Sequence, residues 1–184
     1  RGFAVAKKPD SHDICFIPDG DTRGWLNRRL GERPGELVDA VSGAVVGSHT
    51  GAHGFTVGQR RGLGIDRSAL DGDPRYVVEI DAPSNRVVIG TADLLGVDLI
   101  VGDHVRWCGP APGERVALGA QVRAHGEEVP ATAEVQAGPS PTVRVGLERR
   151  VRGVAPGQSV VLYEGTRVVG SATISGTSRS AGEA

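Results

Sequence analysis

From Arg75 onward, no apolar run grows long enough to make a helix before a turn residue cuts it. The segments RYVVEIDAPSNRVVIG, DHVRWCG, ERVALGAQVRA, EVPATAEVQ, PTVRVGLE, GQSVVLYEG and TRVVGSATIS are short, rich in valine, and bounded by Gly, Pro, Asn or Asp. Several alternate apolar with polar residues, the period of a strand with one buried face. The first of them reads as a hairpin turning at Pro83 to Asn85. Many short strands at close spacing predict a small closed barrel or a sandwich over residues 75 to 176. The chain holds 28 glycines and 11 prolines, yet 39% of it is hydrophobic. That pairing fits strands joined by tight turns and argues against disorder. With aromatics at only 4%, Val, Leu, Ile and Ala must build the core.

The first third reads differently. Thr22 to Leu30 is a candidate helix, with Asp21 or Thr22 as N-cap, Gly31 as stop and Pro34 beyond it. Trp25, Leu26 and Leu30 would form its apolar face. GELVDAVSGAVVGSH offers two strands around Ser42-Gly43, and a glycine-rich stretch, TGAHGFTVGQRRGLGI, follows. The loop DRSALDGDP is the best place to divide the chain. The expected organisation is a lead-in over 1–20, a small α+β domain over 21–73, a β-barrel over 74–176 and a frayed tail over 177–184. The fold class is mainly β.

The 184 residues carry a formal charge of −1, which does not announce a nucleic-acid binder. No apolar run approaches the ~20 residues of a membrane span, and no signal peptide is visible. The chain has no methionine and opens on Arg1, so a piece of a longer protein is expected. Its two cysteines, Cys15 and Cys108, make no disulfide scaffold and fit a reducing, cytoplasmic setting.

Few residues suggest chemistry on their own. His49 and His53 stand four apart, but no C-x-x-C accompanies them, so no metal site is expected and both histidines read as loop hydrogen-bonders. Cys15, in SHDICFIPDGD, can be a core residue, a metal ligand or a reactive thiol. Lys7, Lys8 and His12 would favour its thiolate, and Asp13 and Asp19 would oppose it. On composition alone the core reading is the stronger one, and Cys108, between Trp107 and Gly109, reads as core too. GQRRGLGI is neither a Walker A loop nor a dinucleotide fingerprint. Its Gln59, Arg60 and Arg61 fit a phosphate-contacting loop and an ordinary solvated turn equally well. Arg106, Arg123, Arg144, Arg149, Arg150 and Arg152 sit on the barrel strands, where alternation can gather several on one face for RNA or simply for solvent.

Taken in order, KKPDSHDICFIPDGD, RPGELVD, VGSHTGAHGFTVGQRRGLGI, YVVEID and VAPGQSVVLYEG resemble the back half of the tRNA-specific 2-thiouridylases. The resemblance runs from residue 4 to about 176. It implies a small central domain followed by a C-terminal barrel like those of translation elongation factors. It also implies a preceding ATP-binding domain of the PP-loop type, working with Mg2+. No S-G-G-x-D-S motif of that domain occurs here, so no cofactor is expected on this piece and the piece alone should not be catalytic.

The family replaces the C2 oxygen of the wobble uridine in the tRNA anticodon arm with sulfur. Under the resemblance, Cys15 matches the cysteine that carries a persulfide. Adenylation by ATP makes the C2 oxygen a leaving group, and the persulfide attacks C2. A second family cysteine, absent from this chain, helps release the sulfur, and a disulfide between the two cysteines results. Gln158 in PGQS matches a tRNA-contacting position. Arg123 and Ala124 match a tRNA-contacting pair whose second member is usually aromatic or histidine. Arg60, with its neighbours Gln59 and Arg61, is expected to be structural or to touch the tRNA backbone. The implied partners are tRNA and a sulfur donor, either a cysteine desulfurase or a sulfur-carrier protein, with no membrane. The competing reading is a stand-alone RNA-binding β-barrel module without catalysis.

Overall fold

A computed structural model of the chain describes Ile17 and residues 20–65, 72–123 and 126–180. Helix α1 (Thr22–Leu30) begins where Asp21 accepts a hydrogen bond from the Gly24 N–H at 2.8 Å, and it ends at Gly31, whose φ of 78° a side chain would resist. The expected apolar face does not reach a core. No residue of α1 is buried, and Leu30 is 57% exposed. The helix is held at its edge instead. Arg23 lies 4.7 Å over the Phe55 ring, and Asn27 Oδ1 meets His53 Nε2 at 2.7 Å.

Strands β1 (Gly35–Asp39) and β2 (Val45–His49) form the expected hairpin. Asp39 organises its turn, accepting from the Val41 and Ser42 N–H groups and from the Ser42 hydroxyl. The next hairpin, β3 (Tyr76–Asp81) and β4 (Arg86–Gly90), was placed by its pattern at the start of the barrel. The structure puts it in the first unit instead. β4 runs parallel to β1, pairing Leu37 with Val87 and Asp39 with Ile89, in a four-stranded sheet of order β2-β1-β4-β3. Alternation marks a hairpin but not its partner, and this partner lies across a long crossover. Leu37, Phe55, Leu63, Val77, Val87 and Ile89 pack as the core of this unit, each contributing roughly 1.5–3 kcal/mol of burial.

The remaining strands are β5 (Gly96–Trp107), β6 (Arg115–Gln121), β7 (Val129–Gln136), β8 (Thr142–Arg152), β9 (Ser159–Glu164) and β10 (Arg167–Ser178). They close into a six-stranded barrel of order β10-β5-β8-β7-β6-β9, so the molecule is mainly β, with a closed barrel beside a mixed sheet. Ile100, Val143, Val145, Val160, Leu162 and Ile174 fill the interior. Register shifts in β5 and β10 supply the bends that closure needs. They also hid the first half of β5, which begins well before the expected DHVRWCG. Gly170 is required where it stands, because a Cβ there would lie 2.4 Å from the Trp107 ring. The tail is firmer than expected at its start. β10 continues through Ser178, and the Ser180 N–H donates to Asp98 at 2.6 Å.

Candidate nucleic-acid interface

One end of the barrel faces the mixed sheet. It gathers the ends of β6, β8 and β10 and the starts of β5 and β9. Between this end and the sheet runs a groove of about 1090 Å³, walled by Val78 and Glu79 on one side and by Ala155, Gln158, Thr177 and Arg179 on the other.

Gln158 closes a turn that its sequence dictates. In Ala155-Pro156-Gly157-Gln158, proline presets the second position and Gly157 takes a φ of 87° at the third. The Gln158 side chain folds back so that Oε1 accepts from the Ala155 N–H at 3.2 Å. The backbone is pinned to β10 by Gly157 N–H to Ile174 O and Ile174 N–H to Gln158 O. The same device recurs in Thr56-Val57-Gly58-Gln59. There Gly58 has a φ of 90°, Gln59 Oε1 accepts from the Thr56 N–H, and Gly58 and Gln59 bracket Val77 of β3. The two turns differ at one atom. Gln59 Nε2 donates to the Arg61 carbonyl at 3.0 Å. Gln158 Nε2 has no such recipient among the described residues, and Gln158 lines the groove.

Arg123 lies at the same barrel end, exposed, with a guanidinium N–H donated to the Arg152 carbonyl at the close of β8. Arg123 and Gln158 are therefore neighbours on one rim, joined through residues 152–158. Arg60 is not part of it. It is exposed and borders a separate cavity of about 250 Å³ with Leu63, Pro74 and Arg75, beside the mixed sheet. Gln59 is a turn brace, which accounts for its place in GQRRGLGI without a ligand. Cys15 and Ala124 lie outside the described residues.

Cys108 overturns its expectation. It is exposed, not core, because Val105 points inward, Arg106 outward and Trp107 partly inward, which leaves Cys108 on the outer side as β5 ends. Arg106, Arg144, Arg149, Arg150 and Arg152 are all exposed on the barrel. Two of them are neutralised, Arg149 by Glu127 at 2.6 Å and Arg150 by Asp98 at 3.3 Å. Arg179 was missed, since it falls in the segment read as a frayed tail. Beside it Asp93 is held below the usual carboxylate range, first by the Thr91 hydroxyl and its own backbone N–H, then by the charges of Arg179 and Arg152.

The two histidines differ. His53 is the expected hydrogen-bonder. His49 is buried, tilted against Phe55 at 5.3 Å, and neither ring nitrogen meets a partner at bonding geometry. Burial above all, and then the charge of Arg23, push its pKa down, while the nearby Asn85 and Glu36 backbones pull the other way. Among the described residues no three His, Cys, Asp or Glu side chains stand together as metal ligands, and no helix is long and apolar enough to cross a membrane.

Comparison with known proteins agrees with this division. Residues 23–91 match the family described as tRNA methyl transferase PRC-barrel domain, and residues 97–174 match the aminomethyltransferase beta-barrel domain. The first match ends after β4 and the second begins in β5, where the sheet topology also divides the chain. The chain is 57% identical over 181 residues to a protein of Streptomyces avermitilis named tRNA-specific 2-thiouridylase MnmA, covering 98% of this chain and 47% of that protein. Proteins of the same name from Kineococcus radiotolerans and Streptomyces coelicolor are 57% and 54% identical, over 96% and 97% of this chain and 48% and 46% of theirs. The chain thus spans about half the length of the curated relatives it matches.

Proposed function

This chain belongs to the tRNA-specific 2-thiouridylase family and corresponds to the C-terminal part of its members, and from that premise we propose that it serves tRNA thiolation by presenting a sulfur-carrying cysteine and an RNA-facing barrel rim. The observation that carries the reading is the placement of Arg123 and Gln158 at one end of the barrel, with Gln158 lining a groove large enough for nucleotides. Both positions match tRNA-contacting positions of the family under the resemblance.

In this reading Cys15 holds a persulfide. Its outer sulfur forms a bond to C2 of the wobble uridine as the activated oxygen departs. A thiolate from the other half of the protein then attacks Cys15 Sγ. The sulfur–sulfur bond to the uridine breaks, its electron pair stays with the sulfur on C2, and a disulfide joins the two cysteines. An external thiol reductant restores both. ATP, as co-substrate, supplies the activation of the oxygen. In this reading ATP binds the part of the relatives that this chain does not span. The barrel's share is to bind the RNA and hold it in place.

The test uses the full-length protein with ATP, a sulfur source and unmodified tRNA, and counts 2-thiouridine by nucleoside mass spectrometry. Cys15→Ser should abolish the product and Cys108→Ser should leave it near the wild-type level, since Cys108 is an exposed residue at a strand end. Normal thiolation by Cys15→Ser would remove the sulfur-carrier role. RNA binding with no thiolation by the wild-type protein would favour an RNA-binding module instead.

A further inference from the structure

Three strands bring two arginines to the same end of the barrel, where Arg179 lines the groove and Arg152 lies two residues before its lining at Val154. Across β5, Arg152 of β8 is paired with Gly96, and Ser178 of β10 with Leu99, so Arg152 and Arg179 flank the opening residues of one strand. Arg123 leans on the Arg152 backbone from β6. Its recipient there is a neutral carbonyl, so its charge is not cancelled. Arg149 and Arg150 are cancelled by Glu127 and Asp98. Neither Arg152 nor Arg179 has a carboxylate within ion-pair distance among the described residues; of the acidic groups near them, Asp98 is taken up by Arg150 and the Ser180 N–H, and Asp93 feels both charges. With Asp98 already paired to Arg150, the exposed guanidinia of Arg152 and Arg179 face Asp93 alone and Arg123 adds a third charge at this barrel end, so the edge is positive although the chain as a whole carries −1. Glu79, the acidic residue lining the groove, stands on the opposite wall.

We propose that Arg152 and Arg179 form a phosphate clamp for the RNA backbone at the barrel end that carries Gln158 and the groove. The proposal rests on the RNA-binding reading above and adds two residues to it. A planar guanidinium matches phosphate oxygens in a fork, and two of them flanking one strand suit a chain of repeating phosphates better than a single small anion. Such contacts position the substrate without reading its sequence. The clamp therefore contributes to affinity and register, while the choice of base is left to other residues.

The experiment measures binding of fluorescently labelled unmodified tRNA to the full-length protein by anisotropy over about 50 to 200 mM salt, with a thiolation assay on the same preparation. Each lost phosphate contact lowers the slope of log affinity against log salt by about 0.7–0.9. The double variant Arg152→Gln, Arg179→Gln should lose about 1.4–1.8 of slope, so the wild type should forfeit roughly tenfold more affinity than the variant over that range. Arg115→Gln, at the opposite end of the barrel and paired with Glu134 at 3.5 Å, is the control and should keep the wild-type slope. Arg152→Lys with Arg179→Lys should also keep it. Arg179→Gln alone lies beyond the last strand, so it reads the clamp even where the double variant folds poorly, with one contact's loss expected. A wild-type slope in the Gln variants, or an equal drop in Arg115→Gln, overturns the clamp while the thiolation result stands. Wild-type protein that binds no tRNA overturns both readings.

Discussion

The two GQ turns use the same side chain to different ends. Gln59 spends both ends of its amide on its own loop, whereas Gln158, a residue of the groove lining, commits Oε1 to the Ala155 N–H and has no recipient for Nε2 among the described residues. A carboxylate in its place keeps the acceptor and loses the donor. Gln158→Glu should therefore hold its folding stability within about 0.5 kcal/mol while tRNA affinity falls tenfold or more, because a donor to the RNA is replaced by a negative charge. Gln158→Ala should lose about 1 kcal/mol of stability as well, by urea denaturation, because the turn loses its brace. If Gln158→Glu binds tRNA like wild type, the free amide end is not a contact. The sequence shows that Gln158 ends a turn, since Pro156 and Gly157 announce it. Which end of the amide is free depends on a backbone N–H three residues away and on the absence of an Arg61-like carbonyl, and neither can be read from a string. The exposure of Cys108 was within reach, because counting by twos from Val105 puts it outside. An apolar neighbourhood outweighed that count.

At the scale of elements, the hairpin of β3 and β4 carries the least legible fact of the fold. Its turn was read correctly at Pro83 to Asn85, but its membership in the mixed sheet was not, because parallel pairing with β1 leaves no local trace. Asn85 is what ties that hairpin down. It sits at a φ of 52°, buried, and its side chain accepts from the Ala52 N–H at 3.1 Å. The same amide donates to the Arg33 and Pro34 carbonyls at 2.8 and 3.0 Å. One residue thus fastens the β3–β4 turn to the approach to β1 and to the loop after β2. Gly35 fits beneath it only because it lacks a side chain, as a Cβ would lie 2.2 Å from the Asn85 carbonyl. Asn85→Ala leaves the buried Ala52 N–H and two part-buried carbonyls without their partner and should cost about 1–3 kcal/mol in urea denaturation. Asn85→Gly loses the same bonds but accepts the left-handed backbone, so it should recover about 1 kcal/mol of that cost. Equal stabilities for the alanine variant and wild type would show that the fastening is dispensable.

For the whole molecule, acid acts in one direction and at two depths. His49 is buried with its pKa pushed below the ordinary 6.5. As pH falls through 6.5 the unfolded chain takes up a proton at this site and the folded chain does not, so stability is lost from there downward until the folded pKa is passed. Asp39, Asp81, Asp93 and Asp98 are held below the ordinary 3.8. Their contribution is complete above 3.8 and is lost as pH falls through the lower folded values. The first loss belongs to the mixed sheet, where His49 packs on Phe55. The second is spread over both units, with Asp39 bracing the first hairpin and Asp98 holding Ser180 and Arg150 on the barrel. Stability measured by urea denaturation should therefore decline from near pH 6.5, and more steeply below pH 4. Replacing the imidazole with an apolar side chain of similar size, His49→Leu, removes the only one of these groups that titrates in the upper range. The variant's stability should be flat between about pH 5 and 6.5, whatever its absolute value, and should still fall below pH 4. An unchanged slope in the upper range would mean that His49 is reached by water or proton in the folded state and is not a neutral, buried imidazole there.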